Sequence, residues 1–333
     1  MTLRKILISA LGLAALGSTV PTVKEFEQRE EASTTTIYTV STVTQYVVEA
    51  TAQLDSNIHL DTASNDTASG LPGVSYAPYT AKGGCKTAAQ IEDDFAKLNG
   101  TYSLVRIYGT DCDQVALAHG AATDMDFKLF LGIWDVNAVA DEAKKIIDGM
   151  DGDWEKVYTI SVGNEVVNSG TASSEKVIAA VKQARNILRD AGYHGPVVTV
   201  DTFVSVIAHP ELCEASDYCA FNAHAFFDST VTADQAGSWL TNTISQVKAA
   251  VSGDVKKFMV TESGWPSKGV TNGLAVPSAG EQKAALASIR KAFANSLGDI
   301  ILFSAFDTPW KPQEAATFNA EPFWGIDGAI SSS

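Results

Sequence analysis

Two glutamates directly follow apolar runs, Glu165 in VYTISVGNE and Glu262 in KKFMVTESGWP. A charged carboxylate is costly inside a buried strand, so each glutamate is expected where a strand ends. Two carboxyl groups about 5 to 5.5 Å apart can perform retaining glycoside hydrolysis, in which one attacks the anomeric carbon and the other protonates the leaving oxygen. Asn164, directly before Glu165, could hydrogen-bond the 2-hydroxyl of the sugar.

The elements that must position these residues alternate regularly after Leu71, as short β-branched runs and amphipathic helical stretches. In the segments 87–98 and 173–192, the apolar residues recur at a helical spacing that places them on one face of a helix. Eight such βα units without a phosphate-binding glycine loop favour a (β/α)8 TIM barrel over an open doubly wound sheet. The predicted strands are 73–78, 104–108, 128–134, 157–163, 197–201, 218–224, 258–262 and 300–306.

Active sites of such barrels form at the carboxyl ends of the strands. The predicted ends are rich in aromatic and polar residues, which can stack on pyranose faces and hydrogen-bond hydroxyl groups. This composition indicates a carbohydrate site. We assign Phe203, Phe226, Phe227, Trp154, Trp239 and Trp324 to packing. The predicted substrate-binding residues are Tyr76, Tyr108, Trp134, Asn164, His224, Trp265, Asp307, Trp310 and Lys311.

Composition restricts the partners. Of 333 residues, 45% are hydrophobic and 19% charged, enough apolar material for one large core. Thirty-nine acidic residues against 24 basic ones give a formal charge of −15, which repels nucleic acid and anionic membranes. A neutral polysaccharide is not repelled. We expect no nucleic-acid or membrane partner, and a monomer.

The N-terminal part is interpreted as two segments before the catalytic domain. Residues 1–20 combine Arg4 and Lys5 with an apolar run that ends in small residues, which is typical of a secretory signal peptide. Residues 21–70 are polar and rich in Thr and Ser, which predicts a disordered propeptide or stalk. Residues 38–48 alternate like a strand, but a lone strand has no partner. The domain is predicted over 71–333, in a secreted, extracellular protein that is either soluble or held in the cell wall.

Four cysteines in a secreted chain are most simply two disulfides. Cys213 and Cys219 are close in sequence, which leaves Cys85 with Cys112. We expect no metal site, because no C-x-x-C pair occurs and the five histidines are scattered. Sequons begin at Asn65 and Asn99, and these are candidate glycosylation sites once secretion is granted.

The segments VGNE, TESGWP, SYAPY, VRIYGTDC, HAFF and AFDTPWKP together resemble glycoside hydrolase family 17. Within it they resemble the fungal cell-wall β-1,3-glucanase and glucanosyltransferase group, over 73–326. The resemblance implies a (β/α)8 barrel, a retaining mechanism, no metal or organic cofactor, and β-1,3-glucan as substrate. It also implies Glu165 as acid/base, Glu262 as nucleophile and Asn164 as a sugar contact. Tyr108 could hydrogen-bond the nucleophile, and Arg106 could equally be a buried ion-pair partner.

Three questions stay open at this level. The barrel could be a non-catalytic glucan-binding or adhesive wall protein, or an enzyme of other chemistry such as metal-assisted hydrolysis, for which clustered histidines would be expected. Hydrolysis and transglycosylation differ only in whether water or a glucan hydroxyl resolves the intermediate. That choice depends on acceptor binding and water exclusion, where about 1.4 kcal/mol is tenfold in rate.

Overall fold

The computed structural model describes residues 21–26, 37–42, 70–255 and 257–326. Strands β1 (Pro21–Phe26) and β2 (Ile37–Thr42) form a two-stranded antiparallel sheet with Pro21 opposite Thr42. Residues 38–42 of the strand-like alternation therefore do have a partner, contrary to the expectation, and residues 43–48 lie outside the described residues. This sheet belongs to a compact unit separate from that of the barrel. The predicted signal peptide and Asn65 lie outside the described residues.

Eight parallel strands close into a barrel, in which the last strand pairs with the first. The predicted (β/α)8 barrel is thereby confirmed. Apart from this closing pair, each neighbour in the barrel is also the neighbour in sequence, which is the outcome of repeated right-handed βα crossovers. The strands are β3 (Gly73–Ser75), β4 (Leu104–Arg106), β5 (Lys128–Ile133), β6 (Val157–Asn164), β7 (Val197–Thr202), β8 (Cys219–Asn222), β9 (Phe258–Ser263) and β10 (Ile300–Leu302).

Five predicted strands end earlier than expected, at Ser75, Arg106, Ile133, Asn222 and Leu302. Backbone bonds continue past several of these ends, for example from Tyr76 N to Arg106 O at 2.8 Å and from Phe303 N to Ser263 O at 2.8 Å. The regular hydrogen-bond ladder between neighbouring strands nevertheless stops at these ends, where the chain enters the following loops. The short strands leave the rim residues on loops rather than in the barrel wall.

Helices cover the barrel with the apolar faces that the sequence predicts. In the first helix, Ile91, Phe95 and Leu98 are buried, and Thr87 forms a capping box with Gln90. Burial of one stripe per helix against the strands stabilises both layers. The helices are α1 (Ala88–Leu98), α2 (Gln114–Ala122), α3 (Val139–Met150), α4 (Ser174–Asp190), α5 (Phe203–Ala208), α6 (Glu211–Glu214), α7 (Ala236–Ala250) and α8 (Ala279–Ala292).

The inside of the barrel is a packed core, not a pore. Phe130, Val198, Val200, Met259 and Ile301 pack together there, each 0% exposed. Strands buried on both faces explain why the runs read as continuously apolar. Higher up, a Cβ on Gly264 would lie 2.0 Å from the Phe303 carbonyl oxygen, so only glycine permits this approach of β9 to β10.

Both predicted disulfides, Cys85–Cys112 and Cys213–Cys219, are present. The first joins the loops that follow β3 and β4. Within the part of the chain that is described, no helix is both long and apolar enough to span a bilayer.

Candidate active site

The two glutamates lie at the carboxyl ends of the fourth and seventh barrel strands. Glu165 directly follows β6, and Glu262 is the penultimate residue of β9. Both side chains are buried, with 5% and 0% of the residue exposed. Because consecutive parallel strands point the same way, both residues emerge at the same end of the barrel.

Glu262 is surrounded by hydrogen-bond donors. Tyr108 Oη lies 2.7 Å and Arg106 Nη1 3.1 Å from its Oε1, and His224 Nε2 lies 3.3 Å from its Oε2. An ionised carboxylate only accepts, so His224 carries its hydrogen on Nε2. Burial opposes ionisation, but the His224 hydrogen bond, the Arg106 charge and the Tyr108 hydroxyl outweigh it and lower the pKa of Glu262. This carboxylate stays charged and available to attack.

Glu165 has the opposite environment. Burial and the negative charge of Glu262, with smaller contributions from Asp201 and Glu321, raise its pKa well above the ordinary glutamate value. Its Oε1 accepts from Asn222 Nδ2 at 2.9 Å. Its Oε2 is buried and has no partner among the described residues. This oxygen can hold a proton and present it to a bound group.

Arg106 and Asn222 connect the two glutamates. Asn222 Oδ1 accepts from Arg106 Nη1 at 3.3 Å, and Arg106 Nη2 donates to Asn164 Oδ1 at 2.8 Å. Arg106 is fully buried and forms an ion pair with Glu262. This is the role of a buried ion-pair partner that the sequence analysis considered for it. Asn164 Oδ1 also accepts from Asn222 Nδ2 at 3.2 Å, which leaves the Asn164 amide nitrogen to donate to a ligand.

A depression beside Tyr108 gathers several of the predicted binding residues. Tyr76 and Lys311 are nearly buried in its wall, where Tyr76 Oη donates to Asp94 Oδ2 at 2.8 Å and Lys311 Nζ pairs with Glu321 Oε2 at 2.9 Å. Asp307 is more open, and its Oδ1 accepts from Gly325 N at 2.8 Å. The lining residues are Ser75, Tyr76, Ala77, Tyr108, Phe303, Ser304, Phe306, Asp307, Thr308 and Lys311.

The three predicted tryptophans differ in exposure. Trp265 is 0% exposed, donates from Nε1 to Val276 O at 2.9 Å and packs edge-on against Phe226. Its expected place on the sugar-binding rim is therefore corrected, because the loop after β9 folds over its ring. Trp134 and Trp310 are half-buried, and Trp310 packs against Tyr79 with ring centroids 5.2 Å apart.

The residues assigned to packing do pack. Phe203, Phe226, Phe227 and Trp324 are buried. Trp154 and Trp239 are half-buried, and their indole nitrogens donate to Ala191 O at 3.1 Å and Asp228 Oδ2 at 2.9 Å.

Asn222 and Asp201 belong to this site, and the sequence indicated them as strand-end residues without assigning them a catalytic or substrate-binding role. Both are polar residues at the end of a buried apolar run, the same signal that identified Glu165. No group of three or more histidine, cysteine or acidic side chains placed to hold a metal ion occurs in the described ranges.

A (β/α)8 barrel that carries two buried glutamates at the ends of its fourth and seventh strands has the architecture of a barrel glycoside hydrolase. Residues 73–325 match the family model of the BtgE/BtgC glycoside hydrolase domain. The chain belongs to this family.

Curated relatives support the resemblance to glycoside hydrolase family 17. A cell surface mannoprotein (MP65) of Candida albicans is 44% identical over 259 residues, covering 77% of this chain and 66% of the relative. A probable family 17 glucosidase (SCW4) of Saccharomyces cerevisiae is 43% identical, covering 78% of this chain and 66% of the relative. The aligned part thus spans just under two thirds of these relatives.

Solved structures show the same fold. The family 17 β-1,3-glucanosyltransferase of Rhizomucor miehei superposes with a TM-score of 0.68 at 23% identity, covering 78% of this chain and 94% of that one. An active-site mutant of that enzyme in complex with laminaritriose gives a TM-score of 0.66 at 24% identity, covering 78% and 93% of the two chains.

Proposed function

We propose that this protein is a retaining β-1,3-glucan hydrolase or glucanosyltransferase of the cell wall, with Glu262 as nucleophile and Glu165 as general acid/base. The observation that carries the proposal is the opposite pKa shift of two buried glutamates on one barrel end. A pair whose pKa values are driven apart by their surroundings supplies an acid and a nucleophile at the same pH.

In the first step, the ionised Glu262 carboxylate attacks the anomeric carbon and forms a glycosyl ester. The Glu165 proton goes to the departing glucan oxygen as the glycosidic bond breaks. The two donors on Glu262 Oε1 hold the carboxylate in one orientation. The free amide nitrogen of Asn164 is placed to donate to the 2-hydroxyl, a hydrogen bond that strengthens in the oxocarbenium-like transition state.

In the second step, Glu165 is a base. It takes the proton of a water molecule, or of a hydroxyl on a second glucan chain, and that oxygen attacks the anomeric carbon and releases Glu262. Water gives hydrolysis and a glucan hydroxyl gives a transferred chain. Neither step requires a metal or an organic cofactor.

β-1,3-Glucan is the substrate that the relatives suggest, since the Rhizomucor miehei neighbour is named a β-1,3-glucanosyltransferase. A neutral chain is also compatible with the net charge of −15. Arg106 and Asn222 add to the proposed site as positioning residues. We assign the substrate contacts to Asn164, Tyr108 and His224 beside the glutamates and to Tyr76, Asp307, Lys311, Trp134 and Trp310 around them.

The proposed location is the fungal-type cell wall, because the Candida albicans relative is named a cell surface protein. In this proposal residues 1–20 direct secretion, 21–70 are a propeptide or stalk, and 71–333 form a monomeric catalytic domain. The two disulfides fit an oxidising compartment.

The test is product analysis by mass and chromatography with an end-labelled laminari-oligosaccharide. We expect shorter products from hydrolysis, and longer ones as well if chains are transferred. Glu262→Gln should be inactive, and Glu165→Gln should regain activity with azide when the leaving group is activated, because azide needs no base. Glu155→Gln, an exposed control, should match the wild type. Binding without any products in the wild type would refute the enzyme and favour a wall-adhesion protein.

A further inference from the structure

Asp201 is a buried carboxylate that the proposed chemical steps do not use. It lies near the carboxyl end of β7 and is 1% exposed. Its oxygens accept three backbone N–H groups, from Val167 at 2.9 Å, Asn168 at 3.2 Å and Thr202 at 2.9 Å. Charge-assisted bonds to backbone N–H groups are stronger than neutral ones. Two of these three donors belong to the turn that follows Glu165.

That turn holds Glu165 in an unusual backbone conformation, with φ of 55°. A non-glycine residue in the left-handed region is strained and persists only where its surroundings hold it. On one side, Glu165 N donates to Val200 O at 3.0 Å. On the other side, Asp201 holds the residues two and three positions later. A second link runs from Thr202 Oγ1 to Asn168 Oδ1 at 3.1 Å.

Asp201 also acts on Glu165 through its charge. After burial and Glu262, Asp201 is among the groups that raise the pKa of Glu165. Burial raises the pKa of Asp201 itself, while its backbone hydrogen bonds from Val167, Thr202 and Asn168 lower it. The same side chain thus holds the turn and disfavours ionisation of the residue on it.

We propose that Asp201 is the positioning residue for Glu165, and that its carboxylate fastens the turn 165–168 to β7 and so sets the direction in which Glu165 delivers its proton. The inference rests on the proposed function. Asp201 lies on β7, which pairs with β6, and Glu165 directly follows β6. This pairing brings the two residues together.

The test compares Asp201→Asn with Asp217→Asn. Asp217 also holds β7 by a backbone bond, from Val197 N at 2.7 Å, but at the opposite end of the strand. Two substrates are used, a laminari-oligosaccharide and a dinitrophenyl β-laminarioligosaccharide whose leaving group departs without a proton. Thermal unfolding of each variant checks that it is folded.

For Asp201→Asn we expect kcat on the oligosaccharide to fall by about 10-fold to 100-fold with little change in KM, because the acid is misplaced. The burst of dinitrophenolate should keep its wild-type rate, since that bond breaks without an acid. Loss of the Asp201 charge lowers the pKa of Glu165, so the basic limb of the kcat/KM profile should move to lower pH. Asp217→Asn should change none of these.

Equal losses on both substrates, or an equal loss in Asp217→Asn, would overturn the role of Asp201. If Asp201→Asn does not fold, Asp201→Glu keeps the charge but displaces the carboxylate from the N–H groups of Val167 and Asn168. It should lower kcat on the oligosaccharide without moving the basic limb, and unchanged kcat would equally refute the inference. An inactive wild type would instead refute the proposed function, so the two failures are distinguishable.

Discussion

Glu165 and Glu262 are chemically the same residue, and their neighbours make them different. Glu262 accepts from Tyr108, Arg106 and His224, whereas Glu165 accepts from Asn222 and is close enough to Glu262, Asp201 and Glu321 to be affected by their charges. Donors favour the ionised form of a carboxylic acid, and negative neighbours favour the protonated form. The proposed roles of nucleophile and acid thus follow from the hydrogen-bond donors and the charged groups around each glutamate.

Tyr108→Phe should move the acid limb of the kcat/KM profile to higher pH. The Tyr108 hydroxyl donates to Glu262 Oε1 at 2.7 Å, and this bond helps to lower the pKa of Glu262. Without it the nucleophile is protonated at higher pH, and we expect activity below the optimum to fall by about 10-fold. Tyr193→Phe is the control, since its hydroxyl donates to Pro196 O at 3.0 Å outside the site. An unmoved acid limb would contradict the role of this hydrogen bond.

Glu165→Gln should make the protein more stable at neutral and alkaline pH. A raised folded-state pKa means that Glu165 favours folding while protonated, below its unfolded pKa of about 4.3, and that this contribution is lost as pH rises through the folded pKa. Glutamine stays neutral, so its advantage should grow with pH. Each kcal/mol corresponds to roughly 2–4 °C in Tm for a domain of this order of size, measured by thermal unfolding across pH.

Glu262→Gln is the matched comparison and should have the opposite sign. The folded-state pKa of Glu262 is lowered, so its contribution is present above the unfolded pKa and is lost as pH falls through the folded pKa. Its removal also leaves the buried Arg106 without its partner carboxylate, which is destabilising. Similar Tm changes in both variants would show that the two environments do not differ as described.

At the scale of elements, the loops after β3 and β4 form one supported side of the catalytic end. The Cys85–Cys112 disulfide joins them, and Tyr79 Oη donates to Asp111 Oδ1 at 2.9 Å across the same junction. Tyr79 in turn packs against Trp310. Strands β3 and β4 are only three residues long. The disulfide, the hydrogen bond and the ring contact therefore hold together loops that a longer strand ladder would otherwise hold.

The two disulfides should contribute unequally to stability. Cys85–Cys112 spans 27 residues and Cys213–Cys219 spans 6, and chain entropy then predicts about 3.6 and about 2.2 kcal/mol. We expect Cys85→Ser with Cys112→Ser to lower the denaturant midpoint more than Cys213→Ser with Cys219→Ser. Chemical denaturation of both pairs measures this, and the reverse order would indicate that native contacts outweigh loop entropy.

At the scale of the whole molecule, the barrel closes on itself. Strand β10 pairs with β3, so every barrel strand has two neighbours and no edge is left open. The side-chain hydrogen bonds described for the two glutamates come from Arg106 and Tyr108, at the end of β4, and from Asn222 and His224, at the end of β8. The site therefore depends on the barrel arrangement that brings the end of β4 close to those of β8 and β9.

A chain of residues 71–333 should fold and act without the preceding segments. The matched family domain begins at residue 73, and the barrel contains every proposed site residue. We expect the same Tm within about 2 °C and the same kcat/KM as the chain of 21–333, measured side by side. A clear loss of either would show that 21–70 supports the catalytic domain rather than serving as a propeptide or stalk.

The sequence by itself determined the eight strands, the helical faces, both disulfide pairs and the place of Glu165 and Glu262 at strand ends. These depend on local periodicity and on where a polar residue interrupts an apolar run, which a single sequence contains. The exact residue at which each strand ends could not be predicted, because the point at which a hydrogen-bond ladder stops depends on the neighbouring strand.

Only the tertiary structure decided which rim residues stay open and which are covered. Trp265 is buried under a loop that also contacts Phe226 and Ser229, and Lys311 is paired with Glu321. It also decided that Arg106 and Asn222, 116 positions apart, join the two glutamates. Burial and hydrogen-bond partners arise from contacts between segments distant in sequence, whereas periodicity reports only what each segment does locally.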